Sequence, residues 1–189
     1  LVPTRWSITA VDDTVGQYLR GGLRHSNSVD TVQVWANEFM GNRYWVILAP
    51  GNWEFELVEM KAPDSVWNPE ASDYYLASAH EGFEGRTGYV EETAGAYYAS
   101  RLGVLEHLSE IDRQAKCLVL REVTDDYWAP VGVWQVREGV RHAFDGDHGE
   151  AESFHDALRA LDPQLPISRT ALRRKSNLVA GLQTALTDF

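Results

Sequence analysis

Apolar and polar positions alternate most regularly between Val29 and Met60. Val32, Val34 and Ala36 alternate with polar neighbours, and Tyr44 to Leu48 is an apolar run. After the break at Pro50-Gly51-Asn52, Trp53, Phe55, Leu57 and then Glu59 alternate with Glu54, Glu56 and Val58. A period of two sends successive side chains to opposite faces of a sheet, and an unbroken run marks a strand covered on both faces. The region therefore predicts an antiparallel hairpin or meander. From Glu92 to Gln114 the period lengthens: Ala94, Tyr97, Tyr98, Leu102, Leu105 and Leu108 recur at helical spacing and predict one long amphipathic helix. Residues 116–123 predict a strand, and Val131 to Val136 a strand or the start of a helix. Residues 151–161 predict a helix through Phe154, Leu158 and Leu161 that Pro163 stops. The opening, Val2 to Ala10, alternates loosely and reads as extended. Asp12 or Asp13 then caps a short helix ending before Gly21-Gly22. Residues 62–73, with Pro63 and Pro69, read as a surface loop. This order predicts an α+β fold with a mixed, largely antiparallel sheet packed by the long helix. The expected organisation is a globular domain over residues 1–165 and a tether over 166–189.

Composition narrows the class. With 189 residues, 44% of them hydrophobic, and seven Trp, the chain is long and apolar enough for one well-packed domain. It has no 18-residue apolar run, so no membrane span is expected, and no signal-peptide pattern begins it. A first residue of Leu1 reads as a piece of a longer protein. Net charge is -11, and the 17 basic residues include only three lysines, Lys61, Lys116 and Lys175. An acidic, lysine-poor chain fits a salt-rich cytoplasm, where self-repulsion is screened; GC-rich codon usage gives the same bias. Overall charge does not advertise nucleic-acid binding, so any DNA contact must use a local patch such as Arg169, Arg173, Arg174 and Lys175. The single cysteine, Cys117, sits in an apolar run and reads as a core residue. No disulfide within the chain is available, and a reducing, cytoplasmic setting is expected.

The candidate chemistry is carried by carboxylates and arginines. Asp12 and Asp13, completed by Glu122 and Glu138, are a candidate set of catalytic ligands for a divalent metal, as in a metal-dependent nuclease. The simpler reading of Asp12 and Asp13 is helix capping. Arg5, Arg86, Arg101, Arg121 and Arg137 are candidate phosphate or DNA contacts, since a guanidinium holds phosphate bidentately. Internal ion pairing is their simpler reading. Arg86 lies between glycines, where backbone can approach a ligand closely. Tyr97 and Tyr98, one turn before Arg101, suit base stacking or plain core packing. An enzyme that binds a phosphate-bearing small ligand through this Arg and carboxylate cluster, with a purely structural tail, is the alternative to DNA. The chain shows no P-loop, dinucleotide fingerprint or nucleophile elbow.

At the far end, Gln183, Leu186 and Phe189 stand at Q-x-x-L-x-x-F spacing, with Phe189 the last residue. In one 3₁₀ turn, residues three apart eclipse, so Leu186 and Phe189 would form a two-pronged apolar anchor. This spacing resembles the sliding-clamp-binding peptide of replication and repair proteins, without the second aromatic that usually follows. The string Thr4-Arg5-Trp6-Ser7-Ile8-Thr9-Ala10-Val11-Asp12-Asp13, the segment Gly85-Arg86-Thr87-Gly88-Tyr89, the helix start Gly95 to Leu102, Arg121-Glu122 and Gly132 to Glu138 follow in an order that resembles the C-terminal half of the Nre family. These are archaeal proteins linked to DNA repair. The resemblance covers essentially the whole chain. It implies a DNA-repair process, a clamp-binding end at Gln183, Leu186 and Phe189, and a cysteine-bearing, zinc-binding N-terminal half that this chain would lack. It implies no particular reaction.

Overall fold

The computed structural model describes residues 3–128 and 131–181, and side chains from Ser7 onward within that span. Among the described residues, a six-stranded sheet is sandwiched between two helical layers. Its strands are β1 (Val32–Phe39), β2 (Asn42–Ala49), β3 (Glu54–Lys61), β4 (Tyr75–Glu81), β5 (Lys116–Val123) and β6 (Gly149–Ala151), in the order β4-β3-β5-β2-β1-β6. Only β3 and β5 pair in parallel; the other four pairings are antiparallel. The fold is thus α+β with a largely antiparallel mixed sheet.

The β1–β2 hairpin closes on Met40-Gly41, both at positive φ (50° and 67°), the backbone of a tight two-residue hairpin turn. A side chain on residue 41 would also stand 2.6 Å from the Tyr127 amide nitrogen, so glycine is required there on two counts. β2 and β3 do not form the expected hairpin. β5 inserts between them, because its run Cys117-Leu118-Val119-Leu120 is fully buried and belongs where both faces are covered.

One face carries α1 (Pro3–Leu23), α2 (Gly95–Glu110) and α3 (Val133–Phe144). The other carries α4 (Phe154–Leu161), α5 (Arg169–Lys175) and α6 (Asn177–Gly181). Tyr44, Val46, Phe55, Leu57, Cys117 and Val119 pack toward α2 and α3. Trp45, Ile47, Val58, Met60, Leu118 and Leu120 pack toward Leu158, Leu161, Leu172 and Leu178. α2 is buried nearly all round from Gly95 to Leu105, since sheet, α1 and α3 enclose it.

The opening departs from its expectation. The opening is not extended: α1 starts at Pro3 and runs unbroken past Asp12 and Asp13, which lie mid-helix and cap nothing. Its buried side holds Asp12, Gly16 and Leu23, while Ile8, Val11, Val15 and Tyr18 face outward, so its periodicity is inverted relative to an ordinary surface helix. β4 and the short β6 were not foreseen. The stretch expected as a tether is docked through residue 181: Leu172, Leu178 and Val179 are buried against the sheet. Among the described residues, no helix is long and apolar enough to cross a membrane.

Candidate nucleic-acid interface

The arginines and carboxylates singled out in the sequence lie mostly in the layer between the sheet and α1, α2 and α3, where they form three separate networks. In the first, Arg121 on β5 is 5% exposed and its charge is met by Glu59 on the neighbouring β3. Its Nε donates to Asn42 Oδ1 at 3.0 Å and its Nη2 to Gln135 Oε1 at 3.2 Å. The Tyr44 hydroxyl donates to the same Gln135 oxygen, and burial pushes its pKa up to about 12 despite Arg121 nearby. Each nitrogen of this guanidinium has a protein partner and the group is buried, so it is not placed to meet a ligand.

The second network joins α1 to α3. Arg137 donates to the Asp12 carboxylate, which is wholly buried. Burial raises the Asp12 pKa and outweighs the pull of Arg137. Arg141 then bridges Glu138, at 2.7 Å, and Glu106 on α2, at 2.6 Å. Glu138 and Asp12 are thus tied to arginines.

Glu122, the fourth carboxylate expected in a shared metal site, is on the other side of the sheet. It follows Arg121 directly on β5, and neighbours on a strand point to opposite faces. There it accepts from the Tyr74 hydroxyl at 2.7 Å and from Arg43 at 3.3 Å. Asp12, Asp13, Glu122 and Glu138 therefore do not converge. Among the described residues, no group of three or more His, Cys, Asp or Glu is placed to hold a metal ion.

The third network opens to solvent. Arg101 on α2, 2% exposed, donates to Glu81 at the end of β4 (2.9 Å) and to Asp13 on α1 (2.5 Å). Burial alone would lower its pKa; Glu81 and Asp13 reverse that, so it stays charged. Glu81 also accepts from Trp53 Nε1 at 2.9 Å, and Asp13 from Gln17 at 2.9 Å. Above Arg101 the ring of Tyr98 lies 5.5 Å from the guanidinium carbon, and Tyr89 stacks on Tyr98 with ring centroids 5.4 Å apart and planes 26° from parallel. Between these rings, α1 and the loop joining β4 to α2 is a cleft of about 150 Å³, reached by Arg86, Thr87 and Gly88.

That loop is glycine-rich, Gly82-Phe83-Glu84-Gly85-Arg86-Thr87-Gly88. Gly85 has φ +76°, and a Cβ there would stand 2.6 Å from the Arg20 guanidinium carbon. Arg20 reaches past it to donate to the Phe83 carbonyl at 2.9 Å, and Arg86 donates to the His80 carbonyl at 2.7 Å. Neither has a carboxylate within ion-pair distance among the described residues. On the same sheet edge, Lys175 at the end of α5 pairs with Glu92 of this loop at 2.7 Å, which places the exposed Arg173 and Arg174 beside β4. A second depression, of about 260 Å³, lies by Glu38, Arg43 and Gln164; its arginine is already committed to Glu122 and Glu38.

Of the expected phosphate contacts, then, Arg121 and Arg137 serve internal pairs, Arg101 forms the floor of the cleft and Arg86 its rim. The Arg5 side chain, and the expected clamp-binding residues Gln183, Leu186 and Phe189, lie outside the described residues. Sequence reasoning missed Glu59, Glu81, Gln17, Arg20 and Tyr89. For Glu59 the signal was present, because it falls on the inward parity of β3 with Phe55 and Leu57.

Comparison with known proteins agrees with the family resemblance and widens it. The family model described as archaeal Nre, C-terminal, matches residues 81–189, and the one described as archaeal Nre, N-terminal, matches residues 1–68. The expectation of a C-terminal half alone is corrected by the second match. The chain is 66% identical over its full length to the DNA repair protein NreA of Haloferax volcanii, covering 45% of that protein. It is 39% identical to the DNA repair protein NreA of Archaeoglobus fulgidus and 38% identical to the NreB of the same organism, covering 46% and 48% of them. The chain thus spans about half the length of these relatives. No solved structure matches it.

Proposed function

The chain belongs to the archaeal Nre family, and from that premise we propose that it is a DNA-repair factor that docks on the replication sliding clamp through Gln183, Leu186 and Phe189. The observation that carries the reading is its likeness, end to end, to relatives named DNA repair proteins. The body contributes DNA contacts at the β4 edge. There Arg20 and Arg86 by the glycine-rich loop and Arg173 and Arg174 on α5 flank β4 on a chain whose net charge is -11, so attraction to phosphate is local and the rest of the surface repels it. Burying Leu186 and Phe189 in an apolar groove contributes ~1.5–3 kcal/mol each before the ordering of the peptide is subtracted. Micromolar affinity for the clamp, about 8 kcal/mol, therefore requires contacts from Gln183 and the peptide backbone as well.

Two titrations test the two halves of this reading. Calorimetry of the clamp with a peptide of residues 176–189 should give micromolar binding that Phe189→Ala removes; no heat at tens of micromolar overturns the docking. Anisotropy with duplex DNA should show salt-sensitive binding by the whole chain that weakens when Arg173 and Arg174 become Ala. Binding indifferent to salt and to both changes overturns the edge as a DNA surface.

A further inference from the structure

We infer that the cleft between α1, α2 and the glycine-rich loop receives a single unstacked nucleotide of a DNA strand, its base against Tyr89 and its phosphate against Arg86. The inference rests on the DNA-repair reading and specifies what the site takes. Three observations carry it. The cleft, at about 150 Å³, accommodates one base and excludes a stacked pair. Its wall is aromatic and already preorganised: Tyr89 is 56% exposed and lies nearly parallel on Tyr98. Tyr98 is itself fixed, since its hydroxyl accepts from the Val90 amide at 2.9 Å and Arg101 lies beneath its ring. A π-face held in this way stacks any base without the cost of ordering the platform.

The third observation is charge. Arg101 is outnumbered by its two carboxylates, Glu81 and Asp13, so the floor of the cleft carries no net positive charge and offers polar atoms of Asp13 and Gln17 to a base edge. Arg86, at the rim, is exposed, and its one bond to a carbonyl leaves its charge uncompensated among the described residues. A floor without net positive charge and a cationic rim match a nucleotide, whose base is neutral and whose phosphate is not. A free inorganic anion would need the positive charge at the bottom.

The test uses the whole chain and a single-stranded decamer carrying one 2-aminopurine. Its fluorescence reports stacking on an aromatic ring, and anisotropy reports affinity. The expected result is a fluorescence change on binding that Tyr89→Ala abolishes with a loss of affinity of roughly tenfold. Tyr89→Trp should retain it, Arg86→Ala should weaken binding and flatten its salt dependence, and Arg113→Ala, far from the cleft, should change nothing. Thermal melts confirm that each variant is folded. A probe that stays unchanged, or Tyr89→Ala binding as well as the parent chain, overturns the inference. Deoxyadenosine monophosphate bound as tightly as the decamer also overturns it, because the ligand would then be a free nucleotide. Clamp and duplex binding are separate readouts: if both persist while the fluorescence is silent, the nucleotide cleft falls and the repair reading stands. If both are absent as well, the repair reading falls with it.

Discussion

At the scale of single residues, this protein keeps charge inside by pairing it. Arg121 and Glu59 face each other on adjacent parallel strands, 5% and 3% exposed, with Asn42, Gln135 and Tyr44 saturating what the ion pair leaves over. Removing Arg121 leaves the buried Glu59 with only Lys61 among the described residues, 3.6 Å away, to offset its charge, so Arg121→Ala should cost about 3 kcal/mol in urea denaturation. The double change Arg121→Met with Glu59→Leu should cost less than the two single changes summed, since no charge is then stranded. His107 makes a contrasting case. It stacks on Phe144 at 4.0 Å and meets the Trp35 ring edge-on, and burial pushes its pKa below the ordinary 6.5, with His148 adding to the push and Glu110 opposing it. The folded state therefore prefers the neutral ring. Its contribution is fully present above the unfolded pKa and is lost as pH falls through the lowered folded value. The slope of stability against pH as pH falls below 6.5 should shrink in His107→Phe, measured by denaturation at each pH.

Among the elements, those with a clear period or an unbroken apolar run were readable in advance. β1, β3, β5, α2 and α4 lie close to where alternation or helical spacing put them. α1 was not, because its buried side holds Asp12 and Gly16 and its apolar residues face out. β4 was not, because its inward positions are Ala77, Ala79 and Glu81, too small or too polar to register as a strand. α3 seats on the sheet at Gly139, where an added Cβ would fall within 2.6 Å of Tyr44 Cζ. Tyr44 is fully buried and hydrogen-bonded to Gln135, so its ring cannot step aside. Gly139→Ala brings a helix-propensity gain of about 1 kcal/mol against an overpacking cost of about 1–3 kcal/mol. A net loss of thermal stability is the expected outcome, checked by calorimetric melting; a rise in melting temperature would show that the helix slides freely on the sheet.

Across the whole molecule, the C-terminal segment is held by one buried carboxylate. Glu56 on β3 accepts from the Ser176 hydroxyl at 2.6 Å and from the amides of Asn177 and Leu178 at 2.8 and 2.9 Å. α6 is thereby fastened to the sheet, two residues short of Gln183, where the proposed clamp peptide begins. Glu56→Ala strands three donors in the interior, a loss of about 1–3 kcal/mol. Hydrogen exchange should show the amides of Asn177 and Leu178 deprotected while those of β5 stay protected. If protection at 177–178 is unchanged, apolar packing of Leu172, Leu178 and Val179 alone holds the segment.

What the chain's own pattern determined is the class of fold and the span of its clearest elements, since hydrophobic periodicity is a local record of which side of a strand or helix is covered. The motif order likewise pointed to the family, though not to the reach of the match across both family models. Which charges meet was decided only by tertiary structure. Arg121 and Glu122 are adjacent in sequence yet on opposite faces of β5, whereas Asp13, Glu81 and Arg101 come from three distant stretches to form one network. A side chain's partners depend on strand parity and on which strands are neighbours, and insertion of β5 between β2 and β3 set both.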